Sequence, residues 1–197
     1  MPPVVFNHDD ILERLETLKL TKSPGPDMLH PRVLYEARQE IAYPLALIFN
    51  RSFDSKQLPL DWRSANISAI YKKGSKKDAS NYRPISLTSV VCKIFESILR
   101  DSITAHFQVN KLFTNRQFGF IKGRSTVLQL LQILDDWTLH LEEGGQFDVI
   151  YTDFEKAFDK VPHKRLISKL YSYGINQDVV LWIPVLTILL MICLNSH

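Results

Sequence analysis

The residues best suited to chemistry lie between 151 and 163, in the stretch YTDFEKAFDKVPH. A short apolar run over 147–152 delivers Asp153 to the point where the backbone turns towards a helix. A carboxylate at the end of a strand is an accurately placed oxygen ligand of the kind that Mg²⁺ takes in octahedral geometry. An aspartate in that place also caps a helix, and spacing alone leaves both readings open. Phe158, by residue type alone, reads as a core side chain. A second concentration of useful groups is Lys72, Lys73, Lys76, Lys77 and Arg83, with the single acid Asp78 among them. Planar guanidinium and mobile ammonium groups suit a chain of phosphates. They also suit a solvated loop, the preferred reading for Lys76 and Lys77. Gly119, Lys122, Gly123 and Arg124 stand just before a helix start, where cations and backbone N–H groups bind phosphate. A glycine turn with exposed bases is the alternative there. Arg116 reads as an ordinary surface residue and His163, beside Pro162, as structural. No Ser-His-Asp or Cys-His arrangement emerges.

These groups sit in a chain of 197 residues with 24 Lys and Arg, 21 Asp and Glu and a formal charge of +3. At ~150 residues per domain this is one domain, with or without an extension. Hydrophobic residues at 45 % and charged residues at 23 % exclude a disordered chain, a collagen and a coiled coil. The net charge argues for no polyanionic partner; only the local clusters do. Cys92 and Cys193 form neither a disulfide framework nor a zinc spacing, which fits a reducing compartment. The start, MPPV, has no basic stretch followed by an apolar run, so no signal peptide is expected and an intracellular location, cytoplasmic or nuclear, follows. Residues 179–194 carry no charge, yet they fall short of the ~20 residues a spanning helix needs, and Pro184 interrupts them. A buried apolar tail is the expectation; a membrane segment is the alternative.

Periodicity supplies the elements. Ile11, Leu12, Leu15 and Leu18 predict a helix over 8–20, ended by the prolines and glycine of SPGPD at 23–27. Asp27 is expected to cap the next helix, with a further helical stretch over 41–55. Ile67, Ala69 and Tyr71 predict a strand, 72–77 a hairpin tip, and Ile85 and Leu87 the returning strand. Thr88 or Ser89 caps a helix striped by Val91, Ile94, Phe95, Ile98 and Leu99. Ser125 or Thr126 begins another, whose expected buried face is Val127, Leu130, Leu131, Leu134 and Leu141, stopped by Gly144-Gly145. A strand over 147–152 and a helix from Pro162 through Tyr171, stopped by Gly174, complete an α+β pattern with a small sheet.

Several segments, in order, resemble reverse transcriptases of non-LTR (LINE-type) retrotransposons. DFEKAFDKVPH resembles the first catalytic motif, KSPGPD the entry motif, NYRPISLTSVVCKIFESIL the fingers strand and its helix, and QFGFIKGRSTVLQLL the motif before the palm. The resemblance covers roughly 11–175. It implies a truncated right-hand polymerase fold, helix-rich with a small antiparallel sheet, holding the fingers and the first part of the palm. The segments implied are an N-terminal helical segment at 1–21, a fingers-like region at 22–146, a partial palm at 147–178 and a divergent apolar tail at 179–197. The implied activity is template-directed addition of deoxynucleotides to a primer 3′ end by two-metal catalysis.

Residue by residue, the resemblance makes Asp153 the catalytic metal ligand, with the Phe154 backbone carbonyl beside the same Mg²⁺. Phe158 matches the gate that excludes a ribonucleotide. Lys72, Lys73 and Arg83 match the triphosphate-binding hairpin, although Tyr71 stands where proline is often found, leaving the register of Lys72 against Lys73 open. Lys122 and Arg124, from their place before a helix start rather than from the resemblance, are the candidate template-binding residues. An RNA template, a DNA primer and a deoxynucleoside triphosphate are the implied partners. The paired aspartates of the family's second acidic motif have no counterpart, since the acids after Asp153 are Glu155, Asp159 and Asp178. Mg²⁺ is therefore expected to be held weakly or not at all, and the chain alone to be inactive, with residues from 184 read from another frame or an intron. A non-catalytic RNA-binding remnant and a membrane-associated relic are the alternative expectations.

Overall fold

The computed structural model describes residues 1–153 and 161–183. The chain divides into two compact units, Met1–His106 with His163–His197, and Phe107–Pro162. Within the described residues it is an α+β protein: the helices α1 (His8–Glu16), α2 (Pro31–Glu36), α3 (Arg38–Ser55), α4 (Val90–Val109), α5 (Thr126–Glu142) and α6 (His163–Ser172), a further helical stretch over 177–183, and one antiparallel pair, β1 (Ala65–Tyr71) with β2 (Tyr82–Thr88).

The first unit is built round aromatic rings. Phe6, ahead of α1, stacks on Phe95 of α4 with centroids 4.5 Å apart and meets Phe49 and Phe53 of α3 edge-on. Trp62, in the 3₁₀ turn Leu60–Arg63, closes on Phe49 and Phe95. Trp182 lies 4.5 Å from Phe95 on another side. Offset and edge-to-face contacts of this kind add to the area they bury because a ring's positive edge meets a negative face. Ile11 and Leu15 of α1 are fully buried beside them, and so are Val179 and Val180. Asn50 fixes the entry of the chain: its amide accepts from Phe6 N at 3.1 Å and donates to Phe6 O at 2.7 Å.

Local chemistry explains most boundaries. Asn7 caps α1 by accepting from Asp10 N at 2.8 Å, with Asp9 and Asp10 in the first turn. The left-handed Lys56 closes α3. Ser89 accepts from Cys92 N at the start of α4, and the predicted stripe of that helix is buried. Two further contacts hold the later segment to this unit: Lys56 pairs with Asp178 at 3.0 Å, and His106 Nε2 meets Tyr173 O at 2.8 Å.

The KSPGPD loop is explained by close approach. A Cβ on Gly25 would stand 2.7 Å from the backbone of Thr88 and Ser89, so the loop packs on the junction of β2 and α4 only because that atom is absent. Asp27 does not cap the following helix. It accepts from Leu29 N in a local turn, and His30 caps α2 instead, because Pro31 fixes the first helical position one residue later.

In the β1–β2 ribbon, β1 is exposed beyond Ala65, whereas β2 is exposed over Arg83, Pro84 and Ile85 and half-buried elsewhere. Ala65 pairs with Thr88 and Tyr71 with Tyr82. Lys72 N donates to Asn81 O at 2.8 Å, which makes 72 and 81 a hydrogen-bonded pair and, by alternation, Ala69 and Pro84 a non-bonded one. Pro84 therefore points its missing N–H away from β1, where the ladder loses nothing.

In the second unit, Ser125 caps α5 as expected, accepting from Leu128 N at 3.2 Å. The expected buried face is not buried: Val127, Leu130, Leu131, Leu134 and Leu141 are 53–64 % exposed. Residues 147–152 are not a strand either; they run irregular and exposed. No strand of the described residues pairs with them, and an isolated strand has no partner for its N–H and C=O groups. Among the described residues no helix is long and apolar enough to cross a membrane. Much of the apolar segment at 179–194, and Phe154 and Phe158, lie outside the described residues.

Truncating Phe95 to alanine is expected to cost about 3–5 kcal/mol, read as a lower urea midpoint, because four rings lose a shared partner. A second expectation concerns pH. Burial raises the Glu96 carboxyl above its ordinary value of 4.5, outweighing the lowering by Cys92 and Lys93. The folded state then binds the extra proton between 4.5 and the raised value, so stability is full below that window and falls as pH rises through it. Urea titrations of Glu96→Gln should lack that slope; an unchanged slope would show that another group sets it.

Candidate functional site

The cationic hairpin is the better-defined of the candidate regions. The pleat places alternate residues of β1 on one face, and the register puts Ile70 opposite Arg83. Lys72, two residues beyond Ile70, therefore shares the face of Arg83 as a diagonal neighbour, at a spacing both side chains can bridge. Both lysines lie past the last ladder pair, Tyr71 with Tyr82, but the Lys72 N–Asn81 O bond continues the pairing through Lys72 and leaves Lys73 in the bend. Register thus separates two lysines that composition leaves equivalent, and Lys72 is the one aligned with Arg83. All three are exposed.

The hairpin tip is tied down by side chains. Tyr71 Oη donates to Gly74 O, Asn81 Nδ2 to Ser75 O at 3.0 Å and Tyr82 Oη to Lys76 O at 2.9 Å. The Tyr71 and Tyr82 rings meet edge-on across the ladder, 5.6 Å apart. Asp78, the acid within the cluster, is turned to backbone duty. It accepts from Ser80 N at 2.9 Å, and that bond holds its carboxyl below the usual range. Sequence reasoning reads the lysines here and misses these neutral residues. The signal available in the sequence is the pair of tyrosines flanking a glycine-containing turn.

Asp153 lies in the second unit and is exposed. Its exposed carboxylate fits as one oxygen ligand of a hard divalent ion. The expected second ligand, the carbonyl of Phe154, is outside the described residues. Among the described residues no three His, Cys, Asp or Glu side chains cluster as a metal site. Lys122 is exposed in the turn before α5. Arg124 is engaged within its own loop. Its Nη1 donates to the carbonyls of Thr114, Asn115 and Gln117 at 3.0, 3.0 and 2.6 Å, and its guanidinium lies over Phe118. The left-handed Gly123 supplies the turn that brings it there.

Cys92 is not a nucleophile. It is buried, its thiol is pushed up chiefly by that burial, and its proton is directed at Glu96, 3.5 Å away.

Residues 70–195 match the family described as reverse transcriptase (RNA-dependent DNA polymerase). The chain is 31 % identical over 163 residues to the probable RNA-directed DNA polymerase from transposon BS of Drosophila melanogaster, covering 82 % of this chain and 18 % of that protein. It is 32 % identical over 171 residues to the RNA-directed DNA polymerase from mobile element jockey of the same fly, covering 86 % and 19 %. A retrovirus-related Pol polyprotein from the type-1 retrotransposable element R2 of Popillia japonica is 26 % identical over 121 residues, covering 61 % and 16 %. The chain therefore spans under a fifth of the length of these relatives.

Because the Arg124 guanidinium gathers the carbonyls of the 114–117 turn, Arg124→Ala is expected to speed amide exchange across that turn severalfold. Arg124→Lys should only partly restore protection, since an ammonium lacks the planar fork. Equal protection in all three proteins would remove this structural role.

Proposed function

Because the chain belongs to the reverse transcriptase family, with polymerases of non-LTR retrotransposons among its relatives, we propose that it supplies the nucleotide-binding fingers and the start of the palm of an RNA-directed DNA polymerase of right-hand architecture. On this reading the fingers-like region spans 22–146 and the palm begins at 147. The observation that carries it is the common face of Lys72 and Arg83 on an exposed ribbon. A deoxynucleoside triphosphate carries closely spaced negative oxygens. A guanidinium fork and an ammonium, diagonal neighbours on one face, meet them with charge-assisted hydrogen bonds. Lys73 adds charge from the bend.

Asp153 and the Phe154 carbonyl would hold Mg²⁺ in this reading. When bound, the ion makes a primer hydroxyl more acidic and offsets charge on the departing pyrophosphate. Asp153 would contribute one negative oxygen to the ion's ligand set. Phe158 serves as the gate against a ribose 2′-hydroxyl, and Lys122, with Arg124 behind it, faces template phosphates. The RNA template, DNA primer and deoxynucleotides are the partners so implied.

Calorimetric titration of the full chain with deoxythymidine triphosphate tests this. Lys72→Gln and Arg83→Gln are each expected to weaken binding about 10-fold or more, since hydrogen bonds to charged groups contribute roughly 1.5–3 kcal/mol. Asp153→Asn should remove the gain in affinity that Mg²⁺ gives while leaving metal-free binding intact. Binding indifferent to both cation substitutions would overturn the reading.

A further inference from the structure

The cations of the hairpin tip pose an electrostatic problem that the neutral residues around them solve. Lys72, Lys73, Lys76 and Lys77 crowd into a short exposed turn, where like charges repel and every conformation that spreads them is favoured. A turn of this kind would also expose its carbonyl oxygens, and exposed oxygens repel phosphate. Neither outcome is found. The carbonyls of three successive residues, Gly74, Ser75 and Lys76, each accept a bond from a side chain rooted in or beside the ladder: Tyr71, Asn81 and Tyr82 respectively. The backbone joins in, with Lys72 N donating to Asn81 O at 2.8 Å and Asp78 N to Ser75 O at 3.2 Å. The packing is close: a Cβ on Gly74, whose φ is +92°, would stand 2.7 Å from Asn81 Nδ2.

We propose that Tyr71, Asn81 and Tyr82 are positioning residues for polyphosphate, holding the tip's carbonyl oxygens against neutral donors so that Lys72, Lys73 and Arg83 form one preorganised cationic surface. This rests on the reading of the hairpin as a triphosphate-binding element. None of the three side chains need touch the ligand. They act before binding, by removing the ordering cost that a loose polycationic loop would meet on capturing several phosphates at once. A single phosphate asks for no such spacing. The signature of positioning is therefore selectivity for the longer anion, rather than affinity for phosphate in general.

The test uses the full chain, with inorganic tripolyphosphate and orthophosphate as probes, titrated by NMR of the backbone amides. Tyr82→Phe keeps the ring and every charge and deletes one hydroxyl; Asn81→Ala deletes one donor. Each is expected to lower tripolyphosphate affinity about fivefold, the weight of one neutral hydrogen bond, and to leave orthophosphate affinity unchanged. Gly74→Ala should do the same by displacing Asn81. Should the unaltered chain fail to bind tripolyphosphate, the triphosphate reading of the hairpin falls, and this proposal with it. Should the unaltered chain bind while the variants keep the same ratio of the two affinities, positioning alone is overturned. A parallel loss of both affinities would also overturn it, since that marks collapse of the ribbon.

Discussion

The packing of aromatic rings on Phe95 is the constraint on which the first unit depends. Its partners come from places far apart in the sequence: Phe6 before the first helix, Phe49 in α3, Trp62 in a 3₁₀ turn and Trp182 near the end of the described chain. Each brings its own backbone to the same point, so the cluster settles the course of the chain as well as burying area. It also roots the hairpin. Trp62 is buried shortly before β1 and Ser89 immediately after β2, so a ribbon with one exposed and one partly covered strand leaves the core from two fixed points. The exposed strand β1 needs no core of its own; it inherits position from its ends.

How much of this is legible in the sequence depends on whether the deciding interaction is local. The stripe of α4, from Val91 to Leu99, and its Ser89 cap follow from spacing and a single hydroxyl, and both are found. The stripe of α5 is equally clear as a pattern, yet Val127, Leu130, Leu131, Leu134 and Leu141 are exposed. Amphipathic spacing says which side of a helix prefers burial, not what covers it. The segment at 147–152 has strand composition and no strand to pair with among the described residues, so tertiary context decides against propensity. Asp27 fails as a cap for a smaller reason: Pro31 sets the start of α2 and passes the cap to His30.

The candidate site divides along the same line. Charged residues announce themselves by type, so Lys72, Lys73 and Arg83 can be picked out, and only the ladder register says that Lys72 aligns with Arg83. Arg124 shows the opposite case. A basic residue in a glycine turn looks destined for phosphate, and here its Nη1 is occupied by three carbonyls of its own loop. Neutral donors such as Asn81 and Tyr82 carry no such signal, because their importance arises from the turn they brace.

Pro84 has an effect beyond its own ladder. A two-stranded ribbon offers two outer rims, and unlimited sheet growth needs both to accept a neighbour. The proline interrupts the rim of β2 with a position that cannot donate, while β1 keeps an unbroken row of donors. Addition can then proceed on one side and end there, so the ribbon carries its own chain terminator against fibre formation.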